Sequence, residues 1–238
     1  VDEEKRTQWQ FIEEHLPDYP LQERNGKTVF RYTEKGCDWW DGNTLGIQHI
    51  YPAGQIGLNS DPKLLEVAYN TVDEMQRWLD SNGSNSFFPA AVRIGYKPDS
   101  ILVHLNTYSK HTYPNGFQLN NPHGIENWST VPNTINEMLC MGHQDIVRVF
   151  PVWPRGKDAS FHQIRVEGAF LVSGEQKGGA VTSLTLVSEK GRDLTLQNPW
   201  KGKKVEITDP VAGKRTVDGD FIKMKTEAGQ TYLFTMGK

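Results

Sequence analysis

The stretch Phe150-Pro151-Val152-Trp153-Pro154-Arg155-Gly156 divides this chain into two parts of unlike character. Its two prolines fix φ, remove backbone donors and favour an extended path, so neither a helix nor a central strand runs through it. Residues 1–150 carry 12 Lys+Arg against 19 Asp+Glu, a net −7; residues 151–238 carry 14 against 10, a net +4. Six of the seven His and 18 of the 25 Phe, Trp and Tyr fall in the first part, so binding and catalytic groups concentrate there. The second part reads as a scaffold. With 238 residues in all, two modest domains or one large one are expected.

The second part reads as strands. Ile164/Val166, Leu184/Leu186, Leu194/Leu196, Val205/Ile207, Ile222/Met224 and Leu233 recur at short spacing, with polar residues between them. Lys177-Gly178-Gly179, Lys190-Gly191, Ala212-Gly213 and Ala228-Gly229 supply turns. Short period-two strands between turn signals predict an antiparallel β-sandwich over 151–238. The first part is helical with long loops. Residues 2–16 place Trp9, Ile12 and Leu16 on one face, and Pro17 ends the run. Asp61 and Pro62 open a helix over 62–81 with Leu64, Leu65, Ala68, Val72, Met75 and Leu79 as its apolar stripe. Helices over 99–109 and 132–141 follow. The segments 17–60, 82–98 and 110–131 read as long loops, which inside a compact domain are usually functional. The class is α+β and multidomain. So few helices leave apolar faces without partners, so the chain is expected to be the C-terminal portion of a larger protein. Helix faces around Trp9, Met75 and Met138 should be uncovered, as apolar patches on that scale signal a missing partner.

Composition excludes several classes. No apolar run approaches the ~18 residues of a membrane-spanning helix. A net charge of −3 with no long basic block argues against a nucleic-acid backbone binder. Cys37 and Cys140 cannot make a disulfide framework or a CxxC zinc site, and both are expected to be buried thiols. His49, His104 and His143 show no HxxxH or HExxH spacing, so no metal is expected; His104 should lie on a helix face, satisfied by a backbone carbonyl. GxSxG, P-loop and GxGxxG patterns are absent, and no cofactor is expected.

Two clusters carry candidate chemistry. In Cys37-Asp38-Trp39-Trp40-Asp41-Gly42-Asn43, adjacent indoles beside a carboxylate and an amide suit a sugar: rings stack on a pyranose face while polar groups take hydroxyls. A packed Trp pair with Asp41 capping a turn is the plainer alternative. In His111-Thr112-Tyr113-Pro114-Asn115-Gly116-Phe117 and Asn120-Asn121-Pro122-His123-Gly124-Ile125-Glu126-Asn127-Trp128, the Glu126 carboxylate has neighbours able to hold a nucleophilic water. A loop of turn-formers with a solvated Glu is the alternative there.

The second cluster, with Ile135-Asn136-Glu137-Met138-Leu139, Asp145 to Pro154 and the upstream His49-Ile50-Tyr51-Pro52-Ala53-Gly54-Gln55-Ile56, resembles glycoside hydrolase family 95, the inverting α-L-fucosidases and their α-L-galactosidase relatives. The resemblance spans roughly residues 41–175. It implies that 1–150 is the C-terminal portion of an (α/α)6 toroid, followed by the sandwich of 151–238. It places Glu126 where the family has an Asp as general base, polarising a water that attacks the anomeric carbon. The acid and base carboxyls of such enzymes stand ~6.5–9.5 Å apart. It puts the general acid upstream of this chain, so the chain alone should be inactive. Trp39, Trp40, Asp41, Asn43, His123 and Trp128 would line the sugar subsite. The family's base-flanking Gly-Asn-Phe is here Asn127-Trp128-Ser129, and its entry histidines are replaced by Asp41 to Gly46, so the sugar-reading walls differ. The implied partners are a glycan substrate and the N-terminal remainder of the same protein, and the implied location is periplasmic or secreted.

Two other roles stay open. A polysaccharide lyase would cast Tyr113 and His111 as proton abstractor and Arg93 as the uronate-neutralising cation, against the acidity of the first part. A carbohydrate-binding or scaffold protein would use the same aromatic residues without a reaction.

Overall fold

The computed structural model describes residues 2–237, in which helices precede antiparallel sheets, an α+β arrangement. Helix α1 (Glu3–Glu14) is capped by the Asp2 carboxylate, which accepts from Glu4 N at 3.1 Å, and carries Glu3 and Glu4 in its first turn, both favourable to the helix dipole. It buries none of its residues, and Trp9, Phe11 and Ile12 are all more than half exposed.

A hairpin follows where a loop is expected. Strands β1 (Leu21–Arg24) and β2 (Lys27–Phe30) turn through Asn25 and Gly26, at φ 50° and 75°. That pair is the preferred composition of a two-residue hairpin turn, since both central residues need positive φ. A 3-10 turn at Leu45–Ile47 leads to α2 (Pro62–Met75). Asp61 caps α2 as expected, Oδ1 accepting from Lys63 N at 2.9 Å. The helix stops short of residue 81 because Gln76 turns left-handed at φ 48°, and Leu79 beyond it is exposed. Met75 and Met138 are buried, at 7% and 0% exposure, so of the three helix faces expected to be uncovered only that around Trp9 is.

Helix α3 (Ser84–Arg93) occupies a segment expected to be loop. Phe87 to Val92 are all buried, so the helix has no polar face and shows no 3.6 period in the sequence. Pro89 inside it removes one backbone donor, which also hides it from propensity. Helix α3 packs against α2, α4 (Pro98–Ser109), the single turn α5 (Ile125–Trp128), α6 (Thr130–Leu139) and the 3-10 turn. Arg93 on α3 meets Glu137 on α6 through two parallel bonds, 2.8 and 3.0 Å, both side chains largely buried. His104 on α4 lies flat on Trp78, ring centroids 4.4 Å apart at 3°, instead of finding a carbonyl.

Short strands β3 (Cys140–Met141) and β4 (Arg148–Val149) pair with each other. Then come β5 (Ala159–Val166), β6 (Phe170–Lys177), β7 (Ala180–Ser188), β8 (Leu194–Gln197), β9 (Val205–Asp209), β10 (Gly213–Val217), β11 (Phe221–Met224) and β12 (Gln230–Met236). Six of them form one antiparallel sheet in the order β10-β9-β12-β7-β6-β5. Leu194 and Leu196 of β8 and Ile222 and Met224 of β11 share one core with Val172, Leu184, Leu186, Ile207 and Phe234 of that sheet. Each such side chain contributes about 1.5–3 kcal/mol on burial. Tyr232 and Phe234 are the inward residues of β12, and Leu233 between them points outward. The sheet core also takes Leu139, Cys140, Val147 and Val149, and Ile135 and Trp153 pack against both it and the helical core. Cys140 is buried, where desolvation pushes its thiol up to about 12, but Cys37 is exposed.

Two histidines are held in the helical part as neutral rings. His49 meets Phe30 edge-on at 4.3 Å, and His143 bonds the Ile56 carbonyl through Nε2 at 3.3 Å. From an ordinary value of 6.5, burial pushes His49 down to about 4. Burial, followed by the Arg93 charge, pushes His143 down to about 4. Between these values the unfolded chain binds protons that the folded chain refuses. Stability is therefore whole above pH 6.5 and is lost as pH falls from 6.5 toward 4, by on the order of 2 kcal/mol per histidine. Urea unfolding across that window should show a falling midpoint, and His143→Gln should flatten the fall.

Candidate functional site

Three long loops meet at the N-terminal end of α3. The loop after α2 supplies the junction, through Asp80, which is 7% exposed. Its Oδ1 accepts from Asn82 N at 2.8 Å and Gly83 N at 2.6 Å, and its Oδ2 accepts from Arg77 Nε at 3.0 Å. The Ser84 hydroxyl donates back to the Asp80 carbonyl at 2.7 Å. The carboxylate thus takes the backbone N–H groups of the two residues that lead into α3. Thr44, from the first cluster's loop, lies directly against Gly83: a Cβ there would stand 2.5 Å from its Oγ1. From the second cluster's loop, Asn121 Nδ2 and Asn127 Nδ2 both donate to the Ser81 carbonyl, at 3.0 and 2.8 Å, and Gln118 Nε2 reaches the Asp80 carbonyl at 3.5 Å.

The first cluster is tied mostly to itself. Trp39 Nε1 donates to Asp41 Oδ1 at 2.6 Å. The Trp39 ring is half-buried, edge-on to Tyr32 and 4.4 Å from the Arg24 guanidinium. Asn43 Oδ1 accepts from Leu45 N at 2.8 Å, while its buried Nδ2 has no partner among the described residues. Trp40 is 55% exposed.

In the second cluster Gly116 takes φ 87°, and a Cβ on it would stand 2.8 Å from Trp128. Only glycine lets this loop turn left-handed while lying against the indole. The result is an open cavity of about 480 Å³ walled by Tyr113, Pro114, Gly116 and Trp128 from the loop and α5, and by Val131 and Pro132 from α6. Tyr113 and Trp128 keep 45% and 53% of their surface exposed. Two exposed rings beside a shallow cavity can stack on a flat apolar face, with Thr112 and Ser109 on the wall for hydroxyls.

Glu126 stands on the same single turn as Trp128 but outside that wall. It is exposed, Ser129 donates to its backbone carbonyl, and no described residue bonds its carboxylate. His123 is exposed as well. The residue after Glu126, Asn127, is the buried one, at 1% exposure. Of the seven candidate residues, then, Trp128 lines the cavity, Trp39 with Asp41 forms a local pair, and Asn43 sits in the loop beside Thr44. Asp80, Asn121 and Asn127 hold the loops together, and none of them is among those seven; the signal for Asp80 is an acidic residue ahead of Gly83 and Ser84, where α3 starts. The lyase set is divided: Tyr113 lines this cavity, Arg93 is neutralised by Glu137 at another, and His111 Nδ1 bonds the Thr107 carbonyl at 2.9 Å.

No family model matches the chain, and no curated protein matches it. Among solved structures, the chain is similar at 12% identity to a crystal structure of a GH127 β-L-arabinofuranosidase from Geobacillus stearothermophilus T6, over 73% of this chain and 30% of that one, with a TM-score of 0.27. That likeness to a glycoside hydrolase is weak, spans under a third of the other protein's length, and carries no argument about chemistry.

Asp80→Ala should lower stability by about 3–5 kcal/mol, because it leaves Arg77 and two backbone N–H groups without their partner. Chemical denaturation gives the loss. Hydrogen exchange should show faster opening at residues 77–85 and 118–127 together, and at neither if the junction does not couple them.

Proposed function

We propose that this chain is the C-terminal portion of a glycoside hydrolase, with 1–150 belonging to a helical toroid and 151–238 to a β-sandwich. The observation that carries this is the pair of exposed rings, Tyr113 and Trp128, beside a cavity on the loop that Asn121 and Asn127 tie to the start of α3. Sugar rings stack on such aromatic faces while their hydroxyls meet side-chain oxygens and amides. The ordered resemblance to the inverting α-L-fucosidases and α-L-galactosidases supports a terminal fucoside- or galactoside-like sugar. The bare apolar face of α1, around Trp9, supports a further helical partner, which the N-terminal remainder of the protein would supply.

On this proposal Glu126 is the general base. Its carboxylate removes a proton from a water as that water attacks the anomeric carbon, and an acid on the upstream part protonates the departing oxygen. Trp40, Trp128, Asp41, Asn43 and His123 form the rim of the sugar subsite, with Trp39 holding Asp41 in place. The protein acts outside the cytoplasm. The exposed, unbonded state of the Glu126 carboxylate favours a second role, a non-catalytic glycan-binding protein that uses the same rings.

The two roles part in the protein containing the upstream half. There Glu126→Gln should lower release of reducing sugar by about 10²–10⁴-fold, the usual worth of a general base, with glycan binding unchanged. Full hydrolysis by that variant removes Glu126 from the reaction, and binding without any hydrolysis by the unmodified protein selects the non-catalytic role. In the 238-residue chain, titration with fucose- or galactose-terminated oligosaccharides should quench tryptophan fluorescence saturably. Tyr113→Ala should weaken that binding by roughly 2–10-fold, in line with ~0.5–1.5 kcal/mol for a lost ring contact.

A further inference from the structure

Arg148 on β4 is 2% exposed and lies at the seam between the helical and sheet cores. Its Nη1 donates to the His143 carbonyl at 2.8 Å and to the Ile146 carbonyl at 3.4 Å, while its buried Nε has no partner among the described residues. Among the described residues no carboxylate stands within ion-pair distance of it. The contrast with its neighbours is sharp: Arg93 is paired with Glu137, and Arg165 with Glu189. Burial pushes the Arg148 guanidinium down from its ordinary value, the mark of a charge stripped of water. Two carbonyl dipoles offset only part of that cost, and buried charges are ordinarily paired.

Arg148 lines a cavity of about 470 Å³, a volume that suits a small ligand. Arg155 of the proline-rich connector and Lys201 of the turn after β8 line the same cavity, both exposed and neither in an ion pair among the described residues. Gln197 adds an amide, the Asn198 amide is held by Trp200 N and the Lys203 and Gly219 carbonyls, and Asp220 is the one acidic group on the wall. Three cations against one carboxylate leave the hollow positive, and of the three Arg148 is the buried one.

We infer that this seam cavity binds a small tetrahedral oxyanion, a phosphate or sulfate group, free or carried as an ester on a sugar, held between Arg148, Arg155 and Lys201. The guanidinium fork suits such an anion, and charge-assisted bonds to it are roughly twice as strong as neutral ones. The site stands apart from the Trp128 cavity and from Glu126, so the glycosidase proposal does not depend on it.

Calorimetric titration of the 238-residue chain at fixed ionic strength tests this, with sodium sulfate, inorganic phosphate, galactose 6-sulfate and glucose 6-phosphate, and chloride as the reference anion. Saturable binding of at least one oxyanion over chloride is expected. Tighter binding of a sugar ester identifies a decorated glycan as the source; equal binding identifies the free ion. The surface variant Arg155→Gln/Lys201→Gln should weaken binding by roughly tenfold or more, as the loss of two charge-assisted bonds implies. Arg148→Met should abolish it; if that variant does not fold, the surface variant decides. No saturable binding by any of the four, or unchanged affinity in the surface variant, overturns the assignment.

Discussion

Over residues 87–92, helix α3 has no side that water can face. With Phe87, Phe88, Pro89, Ala90, Ala91 and Val92 all buried, every direction around it must be filled, and α2, α4, α5 and α6 are the elements that fill it. The rest of the helical part is arranged by that demand. At the start of α3 the Asp80 carboxylate takes the N–H groups of Asn82 and Gly83, and Ser84 folds back onto the chain. The loops that would otherwise wander are drawn to this one end, because Ser81 and Asp80 offer the carbonyls that Asn121, Asn127 and Gln118 need. A packing constraint in the interior thus fixes where these loops meet outside.

What the sequence reveals depends on whether an element has two faces. Helix α2 has a start marked by Asp61 and Pro62 and an apolar stripe, and it forms where they say; its end depends on the left-handed turn at Gln76, which no periodicity records. Helix α3 is apolar all round and holds a proline, so it shows neither period nor propensity. The hairpin of β1 and β2 is marked in the sequence by Asn25-Gly26 alone, because strands of four residues each are too short to show a period. In the sheet, β6 escapes notice because its inward positions after Phe170 and Val172 are Gly174 and Gln176, which break the apolar alternation. Leu233 suggested the wrong face of β12, since the larger aromatic neighbours Tyr232 and Phe234 take the interior.

The candidate site follows the same rule. Aromatic residues near turn-formers were legible as a cluster, and Trp128 does line a cavity. Its pairing with Tyr113 depends on Gly116 and on the α6 wall, and the junction at Asp80 joins residues some forty positions apart. Local patterns carry no such information. Nor did they distinguish Glu126, which is exposed, from Asn127 beside it, which is buried: on a single turn, neighbouring side chains diverge by about 100°.

The seam between the two cores has a consequence for how the protein can be divided. Cys140, Val147 and Val149 are sequence neighbours of the helices, yet their side chains complete the interior of the sheets, and Val147 also extends β8 through bonds to Thr195 and Gln197 at 2.9 Å each. Ile135 and Trp153 touch both interiors. Scission at the proline-rich connector would therefore strip the strands of part of their own filling. The polypeptide is stitched across its most obvious seam, and strain imposed on one portion is passed to the other instead of being absorbed at a hinge.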